Sequence, residues 1–182
     1  MRVITGTARG KVLKTLDGMD VRPTSDKVKE SIFNIIQFDI EGSAVLDLFS
    51  GSGQLGIEAL SRGARSCTFV DSSRNSIEIT RENLISTGLI QSARIANMDS
   101  IDFLRGTKST FDLALLDPPY NKGILEKTLP LLEARMSSNG IVLCEHEAGL
   151  ELPEQIGRLS IIKNYRYGKI SLSLFRIMEE EE

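Results

Sequence analysis

The four residues Asp117-Pro118-Pro119-Tyr120 follow directly on an apolar run at 111–116. An acid at the tip of a buried strand, two prolines and an aromatic ring make a rigid elbow. Proline fixes φ at about −65° and has no N–H for a sheet ladder, so the strand must end here. Pro118 also holds Asp117 extended, because the residue before a proline is pushed out of the helical region. The elbow presents a carboxylate acceptor, backbone carbonyls outside any helix, and a ring for stacking on a flat ligand. A planar substrate with an exocyclic amine suits that set. Taken alone, the same residues also read as a strand closed by a proline-rich turn.

A second constellation lies in the first half of the chain. A strand-like stretch at 44–48 runs into Asp47-Leu48-Phe49-Ser50-Gly51-Ser52-Gly53-Gln54-Leu55-Gly56, which opens a helix. Glycines there let the backbone turn tightly and approach a ligand, and the helix start offers N–H groups. A Gly-x-Gly loop is shared with dinucleotide-binding folds. The second strand ends at Asp71, 20 residues after Gly51, where a carboxylate can accept both hydroxyls of a ribose. The third ends at Asp99 and the fourth at Asp117. In an open parallel sheet these ends share one edge, and ligands bind in the crevice there.

Each acid alone reads as a cap. Asp99 before a short helix is the clearest case, and Asp47 can equally cap the loop's N–H groups. Four of them, with the glycine loop at one and the elbow at another, describe a negatively lined crevice. A pyrophosphate is poorly served by such an edge. A cation bearing a nucleoside is well served, and S-adenosylmethionine is such a ligand. Its amino acid would lie by the glycine loop and Asp47, its ribose on Asp71 and its adenine near Asp99.

The acids meet only if the strands that carry them are parallel. Strand-like stretches at 44–48, 66–70, 93–96, 111–116 and 140–144 alternate with helical ones near 54–62, 73–87, 100–105 and 123–135, which predicts βαβ units with helices on both faces. Strands at 159–165 and 170–177 are joined by Arg166-Tyr167-Gly168-Lys169, a hairpin link that makes the last strand antiparallel. A helix over 24–38, capped by Thr24 or Ser25, has the apolar stripe Val28, Ile32, Ile35 and Ile36. Before it, 3–4 and 11–13 form a small hairpin.

Composition limits the classes. The chain has 182 residues, 41% hydrophobic and 26% charged, enough for one globular domain with a sizeable core. No run reaches the roughly 18 apolar residues of a membrane span, and residues 1–6 lack a signal-peptide core, so a soluble cytoplasmic protein is expected. Cys67 and Cys144 sit in apolar strands and read as reduced core residues; with His146 the only histidine, no metal site is expected. The net charge of −3 hides an asymmetry. Residues 1–29 hold seven basic side chains against three acidic, a balance of +4, and Glu179 to Glu182 form an acidic tail. A basic arm on an acidic body can bind nucleic acid locally.

The glycine-loop block resembles motif I of class I methyltransferases, and Asp117-Pro118-Pro119-Tyr120 resembles their amino-methylating motif IV. With Gly6-x-x-Arg9-Gly10, then Arg22-Pro23-Thr24-Ser25-Asp26-x-Val28-Lys29-Glu30-Ser31-Ile32-Phe33-Asn34, and Tyr167-Gly168-Lys169, the chain resembles the RsmD family of 16S ribosomal RNA guanine-N2 methyltransferases almost end to end. The resemblance implies an α/β, Rossmann-like sheet of seven strands, mostly parallel, with a short N-terminal β-hairpin extension. It implies a basic arm and helix at 1–38, a methyltransferase domain at 39–178 and the tail at 179–182. It also implies catalysis by Asp117, Pro118 and Tyr120, and cofactor binding by Asp47, Phe49, Gly51, Gly53, Asp71, Asp99 and Asp117. RNA would meet Pro119, Tyr120, Arg9, Lys11, Arg22, Lys27 and Lys29, with an ion pair to Asp26 or Glu30 as the other reading of Arg22. The partner implied is 16S rRNA in an assembling small subunit, met by a monomer without metal or membrane.

Three rivals remain at this point. Motif IV is shared with N6-adenine DNA methyltransferases, which usually carry a separate target-recognition domain for which this length leaves little room. A non-catalytic RNA-binding or assembly module on the same fold is opposed by the intact acids and elbow. A nicotinamide oxidoreductase would use the glycine loop but leaves the elbow without a task.

Overall fold

The computed structural model describes residues 1–17 and 25–179. Arg22, Pro23 and Thr24, and tail residues 180–182, lie outside them. The elements alternate as the pattern predicts: α1 (Asp26–Ile35), β1 (Ala44–Asp47), α2 (Gln54–Ser61), β2 (Ser66–Asp71), α3 (Arg74–Thr87), β3 (Ala93–Asn97), α4 (Ser100–Gly106), β4 (Phe111–Leu116), α5 (Ile124–Glu133) and β5 (Met136–Glu147). Three strands follow, β6 (Gln155–Ile156), β7 (Leu159–Tyr167) and β8 (Ile170–Ile177).

The sheet order is β3-β2-β1-β4-β5-β8-β7-β6. β1 to β5 pair with one another in parallel, and β8 lies antiparallel between β5 and β7. The sheet thus has eight strands rather than seven. The addition is β6, two residues whose pairing with Leu159 and Ser160 is too short to show as periodicity. β5 is also longer than its apolar run at 140–144, and its last turns carry Glu145, His146 and Glu147.

Both faces of the sheet are covered, so β1 and β4 read as continuous apolar runs. Val45, Leu113 and Leu115 pack with α1, α2 and α3, whereas Leu46, Ala114 and Leu116 pack with α4 and α5. Cys67 and Cys144 are free and buried. His146 is also buried, its Nε2 2.8 Å from Ser173 Oγ and its Nδ1 3.0 Å from the Glu147 carbonyl.

The first residues make the expected turn, with an antiparallel bridge between Arg2 and Val12. They lie flat on α2. Ile4 and Thr5 donate their N–H groups to the two Glu58 carboxylate oxygens at 2.9 and 3.0 Å, and Ala8 donates to Ser61 Oγ at 2.9 Å. Gly6, at φ +90°, crosses so closely that a Cβ would come within 1.7 Å of the Ser61 carbonyl oxygen. Val3, Ala8 and Leu13 join the core on this side of the sheet.

Lys29 requires a correction. Expected at phosphate, it has no exposed surface; its Nζ lies 3.1 Å from Glu58 Oε2 and donates to the Arg2 carbonyl at 3.0 Å. Arg62 Nε also donates to Glu58, at 2.9 Å, and its guanidinium lies 4.7 Å from the Phe33 ring centre. A carboxylate without water needs such company, and this one ties arm, α1 and α2 together. Removing one partner of a buried pair typically costs about 3–5 kcal/mol. Lys29→Met should therefore lower unfolding stability by about that amount in a denaturant titration. Unchanged stability would return Lys29 to the surface.

Candidate active site

The sheet order sets the carboxyl ends of β3, β2, β1 and β4 side by side, and with them Asp99, Asp71, Asp47 and Asp117. All four line one cleft of about 1050 Å³, together with Phe49, Gly51, Pro118, Pro119 and Tyr120. Gly53 shapes the loop from behind. It stands at φ +81° as the N-cap of α2, where a Cβ would meet Thr80 at 3.0 Å. Only glycine holds that turn without strain.

The loop is held from α3. Thr80 Oγ1 donates to the Gly51 carbonyl at 2.9 Å and Asn83 Nδ2 to the Ser52 carbonyl at 2.8 Å. Asn83 also exchanges hydrogen bonds with the Lys14 backbone, which brings Thr15 and Leu16 to the cleft wall. Neither Thr80 nor Asn83 stands out in sequence, since both sit inside an ordinary helix. Their signal is burial of polar side chains on the face that packs under the loop.

Three of the acids also have structural work. Asp47 accepts from Gly56 N–H at 2.9 Å. Asp71 accepts from Gly51 and Ser73 N–H groups at 2.8 and 2.9 Å. Asp99 caps α4, accepting from Ile101 N–H at 2.8 Å. Capping and cleft lining are thus combined in the same residues. A carboxylate oxygen has two lone pairs, so a backbone bond does not exhaust it.

Burial pushes the Asp47 carboxyl up from 3.8 to about 7, against the Gly56 N–H bond, and the Asp71 charge adds to the rise. Two further groups on this wall, Ser50 Oγ and Gln54 Oε1, are buried without a hydrogen-bond partner among the described residues. Unmet polar atoms beside a half-charged acid fit a ligand that brings donors and positive charge.

The elbow is clamped by β5. Pro118 is buried, Pro119 exposed and Tyr120 half-buried. Tyr120 OH donates to Glu145 Oε1 at 2.9 Å, and Asn121, at φ +59°, gives its N–H to Glu147 Oε1 at 3.1 Å. Glu145 is a fifth acid at a strand's carboxyl end. It escaped notice because its strand outruns the apolar stretch.

The basic residues separate. Arg9, Lys11 and Lys27 are exposed but do not line the cleft, Lys29 is buried, and Arg22 lies outside the described residues. Lys122 and Lys127 line the cleft instead.

A family model described as Conserved hypothetical protein 95 matches residues 1–176. The chain belongs to this family, the RsmD family. The Bacillus subtilis (strain 168) protein YlbH is 39% identical over 181 residues, covering 97% of this chain and 98% of that one. Ribosomal RNA small subunit methyltransferase D of Escherichia coli (strain K12) is 32% identical over 178 residues, covering 97% and 89%. The solved Escherichia coli chain yhhF shares the fold with TM-score 0.88 and 32% identity over 97% of each chain. The RsmD-family likeness thus runs through the arm, the glycine loop and the elbow alike.

The Asp47 shift has a sign. Its folded value lies above the unfolded one, so the stability it contributes is fully present only below about pH 3.8 and is lost as pH rises through about 7. Asp47→Asn keeps an acceptor for Gly56 N–H without the charge. The variant should match wild type near pH 4 in denaturant titrations and exceed it at pH 7.5, the gap widening by at most about 1.4 kcal/mol per pH unit between. A constant gap would mean Asp47 is ionised throughout.

Proposed function

We propose that the cleft binds S-adenosylmethionine and that the elbow presents the N2 amine of a guanine in small-subunit ribosomal RNA for methylation. The observation that carries this reading is the convergence of Asp47, Asp71, Asp99 and Asp117 on one cleft that also holds Pro118, Pro119 and Tyr120. The naming of the Escherichia coli relative as a small-subunit ribosomal RNA methyltransferase supports the substrate class.

When bound, S-adenosylmethionine supplies an electrophilic methyl group on a positively charged sulfur. Asp47, Ser50 and Gln54 face its amino acid, whose ammonium answers the unmet acceptors and the buried acid. Asp71 takes the ribose hydroxyls on its remaining lone pairs, Asp99 takes the adenine side, and Phe49, Gly51 and Gly53 shape the wall between.

The guanine N2 lone pair is delocalised into its ring, which makes the amine a poor nucleophile. Asp117 and the Pro118 carbonyl each accept one N–H, pyramidalise the nitrogen and aim its lone pair. Charge that develops on nitrogen meets the Asp117 carboxylate, an effect that typically contributes about 3–4 kcal/mol. No strong base is needed, because the methylated ammonium is itself strongly acidic. Alignment of the two reactants supplies much of the rest. The base leaves its stack at a cost on the order of a few kcal/mol, and stacking on Tyr120 beside Pro119 returns about 1–3. Arg9, Lys11, Arg22 and Lys27 meet RNA phosphate farther out.

Residues 1–38 serve as RNA-facing arm and helix and 39–178 as the transferase body, with the tail at 179–182. The protein acts as a cytoplasmic monomer on an assembling subunit, with no metal. Among the described residues no cluster suited to a metal occurs and no helix is long and apolar enough to cross a membrane.

Asp117→Ala tests the assignment. Methyl transfer should fall by at least about 10²–10³-fold, while S-adenosylmethionine affinity by calorimetry stays near that of wild type. Equal loss of both would move the chemistry away from Asp117.

A further inference from the structure

Tyr167-Gly168-Lys169 has no part in the site as described, yet it sits beside it. β8 starts next to the end of β5, with Ile170 opposite Glu147, and Ala148 N–H donates to the Lys169 carbonyl at 2.9 Å. Glu147 in turn accepts from Asn121 of the elbow. The β7–β8 tip and the elbow are thus held by the same few residues of β5.

Arg166, Lys169 and Lys122 are exposed around this point, and none has a carboxylate within 4.0 Å among the described residues. Some exposed cations elsewhere have counter-ions, as Lys14 has Glu82 and Arg74 has Glu78. The tip is also firm. Tyr165 and Tyr167 pack against the core, and Arg166 Nε donates to the Gly168 carbonyl at 3.3 Å.

We infer that this tip, with Lys122 opposite, is an RNA-phosphate clamp that holds the strand on either side of the extruded guanine. The inference rests on the proposed methyl transfer and goes beyond it by moving the nearest phosphate contacts from the arm to the rim. A base seated on Tyr120 carries its own two phosphates only one sugar away, so they lie over the cleft mouth. Lys122 lines that mouth, and Arg166 and Lys169 stand outside its lining on the firm turn that the end of β5 ties to the elbow, within reach of the flanking phosphates.

The test uses the full chain and protein-free 16S rRNA purified from cells lacking this protein, with binding followed by fluorescence anisotropy over a salt series. Each phosphate contact on single-stranded RNA contributes about −0.7 to the slope of log K against log salt. Arg166→Gln with Lys169→Gln should flatten the slope by about 1.4 and weaken binding about tenfold near 0.1 M salt, with S-adenosylmethionine affinity unchanged. Arg166→Glu with Lys169→Glu should weaken it further. Wild-type slope and affinity within twofold in the glutamine variant, while wild type binds and methylates, would overturn the clamp alone. Binding lost to whole small subunits but kept to bare RNA would assign the tip to a ribosomal protein and also overturn it. Wild-type protein that fails to bind S-adenosylmethionine would remove the parent reading and the clamp with it.

Discussion

A carboxylate buried at the acidic edge of a parallel sheet resists ionising, and that burial governs the rest of the site. Parallel strands bring Asp47 and Asp71 to neighbouring ends, where burial, with a smaller push from the Asp71 charge, raises the Asp47 pKa to about 7. The protein offsets part of the strain with backbone N–H groups from Gly51, Gly56 and Ser73. The remainder is a standing preference for a cation. A sulfonium ligand with an ammonium group satisfies it, and a phosphate-rich cofactor would aggravate it.

A second buried acid organises the opposite side of the glycine loop. Glu58 gathers Lys29, Arg62 and two arm N–H groups within one helix that is buried along its whole length. The arm is therefore mortared to α2 and passes on to Asn83, which also holds the loop through Ser52. Arm, α1, loop and α3 form one continuous polar and apolar assembly.

The parallel core was legible because strands buried on both faces leave unbroken apolar runs, and the elbow because proline permits few alternatives. Lys29 misled because its charge outweighed its register. It stands three and four residues before Ile32 and Phe33, on the buried face of α1, and only a partner 29 positions away explains how it can stay there. Glu145 was hidden by a strand that continues past its last apolar residue. β6 is two residues of local pairing, below any period. The unmet Ser50 and Gln54 atoms became informative only in three dimensions, since a hydroxyl or amide in a loop carries no mark of what surrounds it.

The most direct check on the account is a mass-spectrometric map of methylated bases in small-subunit ribosomal RNA, comparing cells with and without this protein. One guanine should lose its N2 methyl group when the protein is absent and regain it when the protein is restored. An identical set of methylated guanines in both would contradict the account at its centre.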